Sequence, residues 1–274
     1  MPELPEVEVV RRSLAARLVG RRVESAEVSG LALRCPLDVT AWRRWSLGRT
    51  VRDLDRRGKY LVALADDAAF VFHLGMSGRL VLARSGSARP VHTHLALTLD
   101  DGSELRFIDP RRFGLAVPMA AESVRTYQPL ATLGPDPLLE DCVPALRSVR
   151  QSRVAIRNVL LDQSVVAGVG NIYANEALFR AGTHPATPAR KIADRRILRL
   201  ASALKEVLAD AVSAGGTTLA DGGFANADGE AGYFAVNLAV YGRAGLPCAR
   251  CGREIRRFAL GGRSAYFCAT CQRR

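Results

Sequence analysis

The chain of 274 residues has the composition of a folded globular protein. Hydrophobic residues make up 48% and charged residues 24% of it, with a mean hydropathy of +0.03, and these values exclude disordered and collagen-like chains. No apolar run reaches the roughly 18 residues that a membrane span needs. The acidic start, Met1 to Glu6, also differs from a secretory signal. We therefore expect a cytoplasmic protein with no membrane partner.

The charge balance indicates an acidic partner. Lysine and arginine total 39 against 27 acidic residues, giving a formal net charge of +12. This excess favours binding to a polyanion such as nucleic acid, although an arginine-rich proteome produces the same excess without such a partner. Aromatic residues, at 6%, are too few to favour a surface on which single-stranded bases stack. Duplex binding is the better expectation.

The first half of the chain changes from one helix to many short strands. Val7, Val10, Leu14 and Leu18 recur at spacings of three and four, which predicts a helix over residues 5–18. Gly, Asp and Ser then separate β-type runs at residues 22–28, 50–54, 60–65, 70–74, 79–82, 95–99, 104–108 and 115–119. Short strands with tight turns and few helices between them predict a mainly antiparallel sandwich or barrel.

The second half is predicted to be helical. Prolines interrupt residues 127–143, which therefore form a predicted linker. Helices are predicted over residues 144–151, 154–161, 172–181 and 194–214, and Asp194 is the predicted N-cap of the last one. Between the second and third helices, Gly168 and Gly170 form a turn that opens into a helix. Such a turn can bind an anion at the helix start, but a packing role explains it equally well.

Two Cys-x-x-Cys pairs mark the end of the chain. Cys248 and Cys251 are separated from Cys268 and Cys271 by 16 residues, which is the spacing of a four-thiolate zinc site. Disulfides are the alternative, and a reducing compartment disfavours them. The intervening residues can form a hairpin that turns at Gly261-Gly262 and presents Arg256, Arg257 and Arg263. Because four thiolates leave no ligand position for water, we predict one structural Zn²⁺ ion.

The N-terminus carries groups suited to covalent catalysis. Removal of Met1 would give Pro2 a free secondary amine, and an α-amino group loses its proton at a lower pH than a lysine side chain does. Such an amine is a nucleophile toward an aldehyde-like carbon. Glu3 is positioned to act as a general acid, and Lys59 as a second acid or base. An ordinary terminus with a capping carboxylate is the alternative on composition alone.

Motifs along the whole chain resemble one family. They are Met1-Pro2-Glu3-Leu4-Pro5-Glu6-Val7-Glu8, Lys59-Tyr60-Leu61, His73-Leu74-Gly75-Met76-Ser77-Gly78, Asp109-Pro110-Arg111-Arg112-Phe113-Gly114, residues 168–174 and the four-cysteine tail. In order and spacing they resemble those of bacterial formamidopyrimidine-DNA glycosylases. The resemblance implies an α+β fold, with an N-terminal helix and antiparallel β-sandwich, a helix–two-turn–helix domain and a four-cysteine zinc-finger hairpin.

The resemblance also implies an activity and roles for individual residues. It implies excision of oxidised purines, chiefly 8-oxoguanine and formamidopyrimidines, from double-stranded DNA, followed by β,δ-elimination at the abasic site. Pro2 would be the Schiff-base nucleophile and Glu3 the proton donor, with Lys59 and Arg263 assisting β- and δ-elimination. Positions that hold DNA phosphates match His92, Arg111, Arg153 and Asn171. The residues that would fill the gap left by the extruded base match Met76, Arg111 and Phe113.

Two departures from the family pattern concern the base and the phosphates. Ala220 stands where the family commonly has lysine or arginine, and residues 220–231 form a longer stretch than usual, with Glu230 near a commonly basic position. Base preference is therefore less constrained than the chemistry. Arg153 and Arg157 stand where lysines are frequent, which keeps the charge but changes the hydrogen-bond geometry.

Two other functions remain as alternatives. An endonuclease VIII-like enzyme would prefer oxidised pyrimidines, but Leu4 and the Met76, Arg111 and Phe113 trio differ from that branch. A non-catalytic damage-binding module would lack Pro2, Glu3 or Lys59, and all three are present. The expected organisation is a catalytic domain at 1–126, a linker at 127–143, a helical domain at 144–235 and a zinc finger at 236–274. We expect a monomer that associates with the bacterial nucleoid through DNA.

Overall fold

The structure is a computed structural model that describes residues 1–217 and 234–274. The described residues form two compact units, one of residues 1–131 with 215–217 and the other of residues 132–214 with 234–274. Ala220, Glu230 and the rest of the stretch 220–231 lie outside the described residues, so the predictions about that stretch stay predictions. The helices of the described residues include none that is long and apolar enough to cross a membrane.

The first unit is a β-sandwich with a helix at its start. Helix α1 (Leu4–Leu18) precedes β1 (Val23–Val28), and a second helix, α2 (Val39–Ser46), follows. The other strands are β2 (Val51–Arg57), β3 (Tyr60–Ala65), β4 (Ala68–His73), β5 (Arg79–Arg84), β6 (Thr93–Leu99), β7 (Ser103–Ile108) and β8 (Leu115–Ala120). One sheet has the order β1-β6-β7-β5 and the other β2-β3-β4-β8, and all pairs are antiparallel. The predicted sandwich is confirmed.

An apolar core lies between the sheets and under α1 and α2. The apolar face of α1 supplies Val7, Val10, Leu14 and Leu18 to it, as the periodicity predicts. Trp42 of α2 is fully buried there and its ring lies 5.5 Å from that of Phe70. The sequence prediction omitted α2. The start of α2 has a recognisable sequence signal, because aspartate is a favoured N-cap residue. The Asp38 side chain accepts hydrogen bonds from the backbone N–H groups of Thr40 and Ala41.

The second unit is helical and ends in a hairpin. The first unit ends with a short helix, α3 (Gln128–Ala131). The helices of the second unit are α4 (Val143–Ser148), α5 (Ile156–Leu161), α6 (Asn171–Arg180) and α7 (Asp194–Ser213). Helices α5 and α6, with the turns between them, form the predicted helix–two-turn–helix element. The hairpin consists of β9 (Ile255–Leu260) and β10 (Arg263–Cys268), which turn at Gly261-Gly262 as predicted.

Two details of the sequence prediction are wrong. Asp194 is not the N-cap of α7, because the cap position is Ala193 and Asp194 is the first helical residue. Its carboxylate instead accepts hydrogen bonds from Arg147 of α4, at 2.8 and 2.7 Å. Outside the four-cysteine tail, the sequence predicts that the remaining thiols, Cys35 and Cys142, are ordinary buried residues; Cys142 is buried, but Cys35 is partly exposed.

Candidate functional site

The start of α1 holds Pro2 and Glu3 in a buried position. Both residues are buried, whereas Met1 is exposed. The backbone N–H of Glu3 donates to Oε2 of Glu6 over 2.8 Å, and Oε1 of Glu6 accepts the backbone N–H of Thr217 over 2.8 Å. Glu6 is itself buried. The Glu6 carboxylate therefore links the backbone of Glu3 to the backbone of Thr217.

Lys59 lies in the tight turn between β2 and β3. Arg57 pairs with Tyr60, so Gly58 and Lys59 are the two turn residues, and the positive φ of Gly58 (+56°) is one that glycine adopts without strain. The preceding Arg56 is buried and donates to the Gly58 carbonyl over 3.0 Å. It also donates to Glu8 of α1 over 3.0 Å. The Lys59 turn is thus tied to the helix that follows Pro2 and Glu3.

Met76, Arg111 and Phe113 lie together on two adjacent loops. Gly75 sits so close to the backbone of Phe113 that an added Cβ would approach it to 2.5 Å. The Arg111 guanidinium stacks 5.1 Å from the centre of the Phe113 ring. Met76 is 39% and Phe113 48% exposed. Their apolar surfaces face solvent, so these two residues are not core residues.

A buried aspartate holds the two loops in place. Asp109 accepts from the Ser77 hydroxyl over 2.6 Å and from the Gly114 backbone N–H over 2.7 Å. The Asp109 backbone N–H donates to the His92 carbonyl over 3.0 Å, so the exposed His92 lies beside the same loops. His92 has a positive φ of 69°, which a non-glycine residue adopts at a cost.

His73, unlike the exposed His92, is a buried histidine. It accepts the Gly75 backbone N–H at Nδ1 over 3.0 Å. Burial, with the nearby charges of Arg34 and Lys59, lowers the pKa of His73 to about 3. His73 is therefore neutral at physiological pH and shapes the turn that carries Met76.

In the second unit, a buried arginine connects Asn171 with the hairpin that carries Arg263. Arg157 is 0% exposed and donates to the carbonyls of Leu260, at 2.7 Å, and Ser264, at 3.2 Å. It also donates to the side-chain oxygen of Asn171. The Asn171 amide donates to the Ser264 carbonyl over 3.2 Å. Arg263 itself is exposed at the turn, so the structure brings two predicted site residues of this unit together.

Arg153 lies apart from this cluster on an exposed segment before α5. The carbonyl of Ser152 accepts the Arg190 backbone N–H over 2.9 Å, and the carbonyl of Val154 accepts the Ala189 backbone N–H over 2.9 Å. Arg153 thus sits between two hydrogen bonds to the segment around Arg190. Its side chain is exposed.

The four cysteines fit a tetrahedral zinc ion. Their sulfur atoms all lie within 4.8 Å of one another, with Cys248 and Cys271 at 3.9 Å and Cys251 and Cys268 at 3.5 Å. Sulfurs bound at about 2.3 Å in a tetrahedron would be roughly 3.8 Å apart. No pair is at the ~2.05 Å of a disulfide, and all four are free thiols. The donor set and spacing match one structural Zn²⁺, and the disulfide alternative is wrong.

Sequence reasoning missed several polar residues that organise these loops. The sequence offers little indication of their roles, because each residue binds a partner that is distant along the chain. Arg34 donates to the Phe113 carbonyl over 2.8 Å. Glu176 is buried and accepts the backbone N–H groups of Ala239, Val240 and Tyr241, at 2.8 to 2.9 Å. The others are Glu6, Glu8 and Arg56, described above.

Comparison with known domain families matches most of the chain. Residues 1–116 match the formamidopyrimidine-DNA glycosylase N-terminal domain, residues 133–222 the H2TH domain of the same enzymes, and residues 245–274 the zinc finger found in FPG and IleRS. The three matches follow one another in the order of the elements described above.

Individual relatives agree with the domain matches. Formamidopyrimidine-DNA glycosylase of Alkalilimnicola ehrlichii is 45% identical over 281 residues, covering 100% of both chains. The crystal structure of MutM (Fpg) from Thermus thermophilus superposes with a TM-score of 0.87 at 41% identity, covering 99% of this chain and 98% of the other. A Lactococcus lactis FPG mutant bound to Fapy-dG-containing DNA gives 0.91 at 33% identity, covering 100% of both. The chain belongs to the formamidopyrimidine-DNA glycosylase family.

Proposed function

We propose that the protein excises oxidised purines from duplex DNA and then cleaves the abasic site by β,δ-elimination. The observation that carries this proposal is the buried start of α1, where Pro2 and Glu3 are both buried and Glu6 accepts the Glu3 backbone N–H. The Alkalilimnicola ehrlichii relative is named as a formamidopyrimidine-DNA glycosylase, and the Lactococcus lactis FPG mutant is bound to Fapy-dG-containing DNA, which supports the glycosylase part of the proposal.

We assign the first chemical step to Pro2 and Glu3. With Met1 removed, the Pro2 nitrogen loses its proton and forms a bond to C1′ of the damaged nucleotide. The sugar ring opens as the C1′–O4′ bond breaks, O4′ takes up a proton, and an iminium ion results. The base leaves with the electron pair of its glycosidic bond, and Glu3 donates the proton that it takes up. The hydrogen bond from the Glu3 backbone N–H to Glu6 fixes the backbone from which the Glu3 side chain extends, one residue after Pro2.

We assign the elimination steps to Lys59 and Arg263. The iminium ion withdraws electrons from C2′, so a C2′ proton is lost and the 3′ phosphate departs with the electrons of its C–O bond. Lys59 assists this β-elimination as an acid or base. Arg263, exposed at the hairpin turn, assists the second elimination, which releases the 5′ phosphate. The two turns that carry these residues are held by buried arginines, Arg56 and Arg157 respectively.

The exposed loops fit the task of extruding a base. A glycosylase must take its target out of the stack, which costs a few kcal/mol, and apolar side chains inserted into the gap offset that cost. We propose this role for Met76 and Phe113, with Arg111 facing the unpaired partner base. We propose that His92, Arg111, Arg153 and Asn171 hold phosphates. Binding of this kind would also associate the protein with the nucleoid.

Borohydride trapping tests the assignment of Pro2. Reduction of the iminium during the reaction links the protein covalently to DNA, and mass spectrometry of the digested adduct identifies the attached residue. We expect the adduct on Pro2 in a chain that begins at residue 2. A protein that retains Met1 has an amide nitrogen at Pro2 and should not be trapped. An adduct on Lys59, or full activity with Met1 retained, would refute the assignment.

Substrate comparison tests the class of damaged base. Duplexes carrying 8-oxoguanine opposite C, a formamidopyrimidine or an oxidised pyrimidine should be cleaved with different kcat/KM values, and we expect the oxidised purines to be preferred. Preference for the pyrimidine would favour the endonuclease VIII-like alternative. Binding without cleavage of any of the three would favour the non-catalytic alternative.

A further inference from the structure

A basic depression lies on the second unit, separate from Asn171, Arg157 and the hairpin. It has a volume of about 590 Å³ and is lined by Arg147, Arg150, Gln151, Arg190 and Lys191. We call these five residues the basic basin. All five are at least partly exposed, and four of them carry a positive charge. The proposed reaction uses none of them.

The charge of the basin is only partly compensated. Asp194 accepts hydrogen bonds from Arg147 at 2.7 and 2.8 Å and lies 3.8 Å from Arg150. Asp141 acts on Arg147 from further away. Within residues 1–217 and 234–274, Arg190 and Lys191 have no ion pair with a carboxylate. The side of the basin formed by these two residues therefore stays positively charged.

The backbone places the basin next to a proposed phosphate contact. Arg190 and Lys191 lie in a short 3₁₀ helix, Ala189–Lys191. The segment is held against Ser152 and Val154 by two backbone hydrogen bonds of 2.9 Å, and Arg153 lies between those two acceptors. On the other side, the Arg150 backbone N–H donates to the Arg147 carbonyl over 3.1 Å. The basic basin therefore lies next to the segment that carries the exposed Arg153.

The chemistry of the basic basin fits a duplex backbone better than a small anion. Duplex DNA carries a negative charge about every 1.7 Å along its axis, and cations that neutralise several phosphates gain affinity by releasing counterions. Cations spread over a wide depression can contact several phosphates of one duplex at the same time. The lining contains no aromatic side chain on which an unpaired base could stack, so single-stranded DNA is not favoured.

We propose that the basic basin binds backbone phosphates of duplex DNA beyond the damaged nucleotide, without reading sequence or damage. This proposal rests on the proposed function, since it takes DNA as the substrate. It extends the grip that begins at Arg153. Because the basin would contact intact duplex as well as damaged duplex, it would act on the affinity for all DNA and leave the chemical step unchanged.

A charge-neutral triple variant tests the proposal. R150Q/R190Q/K191Q removes three cations and keeps Arg147, which holds Asp194 of α7. We expect the slope of log K against log salt for undamaged duplex to become shallower by about 2 to 3, because each phosphate that the protein no longer neutralises reduces the slope by about 0.9. Single-turnover cleavage at saturating enzyme, on duplex with one 8-oxoguanine, should keep the wild-type rate.

The matched control is R22Q/R43Q/R84Q, which removes three exposed arginines of the first unit. It changes the net charge equally, and its salt slope should stay close to that of the wild type. If the basin variant fails to fold, as judged by circular dichroism, the single variants Arg190→Gln and Lys191→Gln should each reduce the slope by about 0.9.

Three results would overturn the proposal. The first is an unchanged slope in the folded basin variants, and the second is an equal decrease in the control, which would make net charge the cause. The third is that inorganic phosphate at low millimolar concentration binds the wild type and not the basin variant while the DNA slope is unchanged, which would identify a small-anion site. Wild-type cleavage and Pro2 trapping, measured alongside, show separately whether the proposed function holds.

Discussion

Glu8 of α1 and Arg56 of β2 form a buried ion pair, with Nε of Arg56 3.0 Å from Oε2 of Glu8. Arg56 also donates to the Gly58 carbonyl over 3.0 Å. One arginine therefore connects the helix behind Pro2 and Glu3 to the turn that carries Lys59. Arg11 and Arg12 bind the same carboxylate at 2.9 and 2.8 Å, so Glu8 is the centre of a four-residue network.

The first prediction concerns the pH dependence of this network. Burial raises the pKa of Glu8, but hydrogen bonds from the three arginines outweigh burial and lower it to about 2. The unfolded value is about 4.3, so the stabilisation is complete above that pH and is lost as the pH falls toward 2. It is on the order of 3 kcal/mol. Glu8→Gln should lack this component and lose less stability between pH 6 and pH 3.

Urea denaturation monitored by tryptophan fluorescence measures this effect. Both tryptophans of the chain, Trp42 and Trp45, lie on α2 in the first unit, so the signal reports on that unit. Glu24→Gln is the control, because Glu24 is exposed and lies 3.6 Å from Arg22. If Glu8→Gln and the wild type lose the same free energy of unfolding on acidification, the assigned role of Glu8 is wrong.

The second prediction concerns Arg157, the buried arginine that binds the hairpin carrying Arg263. Its guanidinium reaches Leu260, Ser264 and Asn171 at once, and a lysine ammonium lacks the planar fork that allows this. Arg157→Lys should therefore loosen the turn that presents Arg263. We expect faster hydrogen exchange in residues 255–268 and a larger share of β- over δ-elimination product.

Arg153→Lys is the matched control for Arg157→Lys. It makes the same change four positions earlier, at an exposed side chain. The described contacts of Arg153 include no hydrogen bond to the hairpin, so exchange there should stay at the wild-type level. Unchanged exchange and product ratio in Arg157→Lys would show that the hairpin is positioned without it.

The sequence predicted elements whose signal is local and missed contacts that join distant segments. Three predictions depend only on residues close together in the sequence, and all three are confirmed. They are the short β-strands, the apolar face of α1 and the four-cysteine group. Asp194 was misread because aspartate before a helical run suits both a cap and a first-turn position, and only Arg147, 47 residues away, decides between them. Helix α2 was missed because its eight residues carry only two buried positions, Trp42 and Ser46.

In the candidate site, too, local motifs are predicted from the sequence, whereas contacts between distant segments are not. Motif order predicts Pro2, Lys59, Asn171 and Arg263 as site residues, but spacing along the chain carries no information on what orients them. Glu6 binds Thr217 across 211 positions, and Arg157 binds Ser264 across 107. Such pairs follow from the packing of elements, which a single sequence does not specify.

The third prediction concerns the zinc finger. Cys268→Ser should remove the metal and disorder the hairpin, because the Cys268 side chain is buried in the small core around the cysteines and the ion would supply much of its folding energy. DNA cleavage should fall strongly below the wild-type rate, while tryptophan fluorescence of the first unit stays unchanged. Metal analysis by mass spectrometry gives the zinc content.

Cys35→Ser is the control for the zinc finger, since Cys35 lies in the first unit and outside the four-cysteine group. It should retain one zinc per chain and full activity. A Cys268→Ser protein that is free of metal and still cleaves DNA at the wild-type rate would contradict a structural role for the ion.

The fourth prediction concerns Phe113. Because its ring is 48% exposed, Phe113→Ala should change the free energy of unfolding by less than about 1 kcal/mol. Base excision should nevertheless fall strongly, since the gap in the stack loses its filling group. Leu139→Ala, at a residue that is 71% exposed, controls for the loss of apolar surface. Equal kcat/KM values for 8-oxoguanine duplex in Phe113→Ala and the wild type would refute the insertion.

The last prediction separates the roles of Glu3 and Lys59. Glu3→Gln keeps the size of the side chain but cannot donate a carboxylic acid proton to the departing base, so excision of 8-oxoguanine should fall by on the order of 10²-fold or more. A preformed abasic site has no base to protonate, and its cleavage should survive much better. Single-turnover rates on the two substrates measure this difference directly.

Lys59→Ala should give a different pattern, because it removes a group assigned to elimination. We expect borohydride trapping to persist while strand cleavage at the abasic site slows. Arg57→Ala is the control, since Arg57 is an exposed cation two residues earlier in the same hairpin. If Glu3→Gln and Lys59→Ala reduce excision and abasic cleavage in the same proportion, the two residues do not act at separate steps, and the assignment of the proton to Glu3 is wrong.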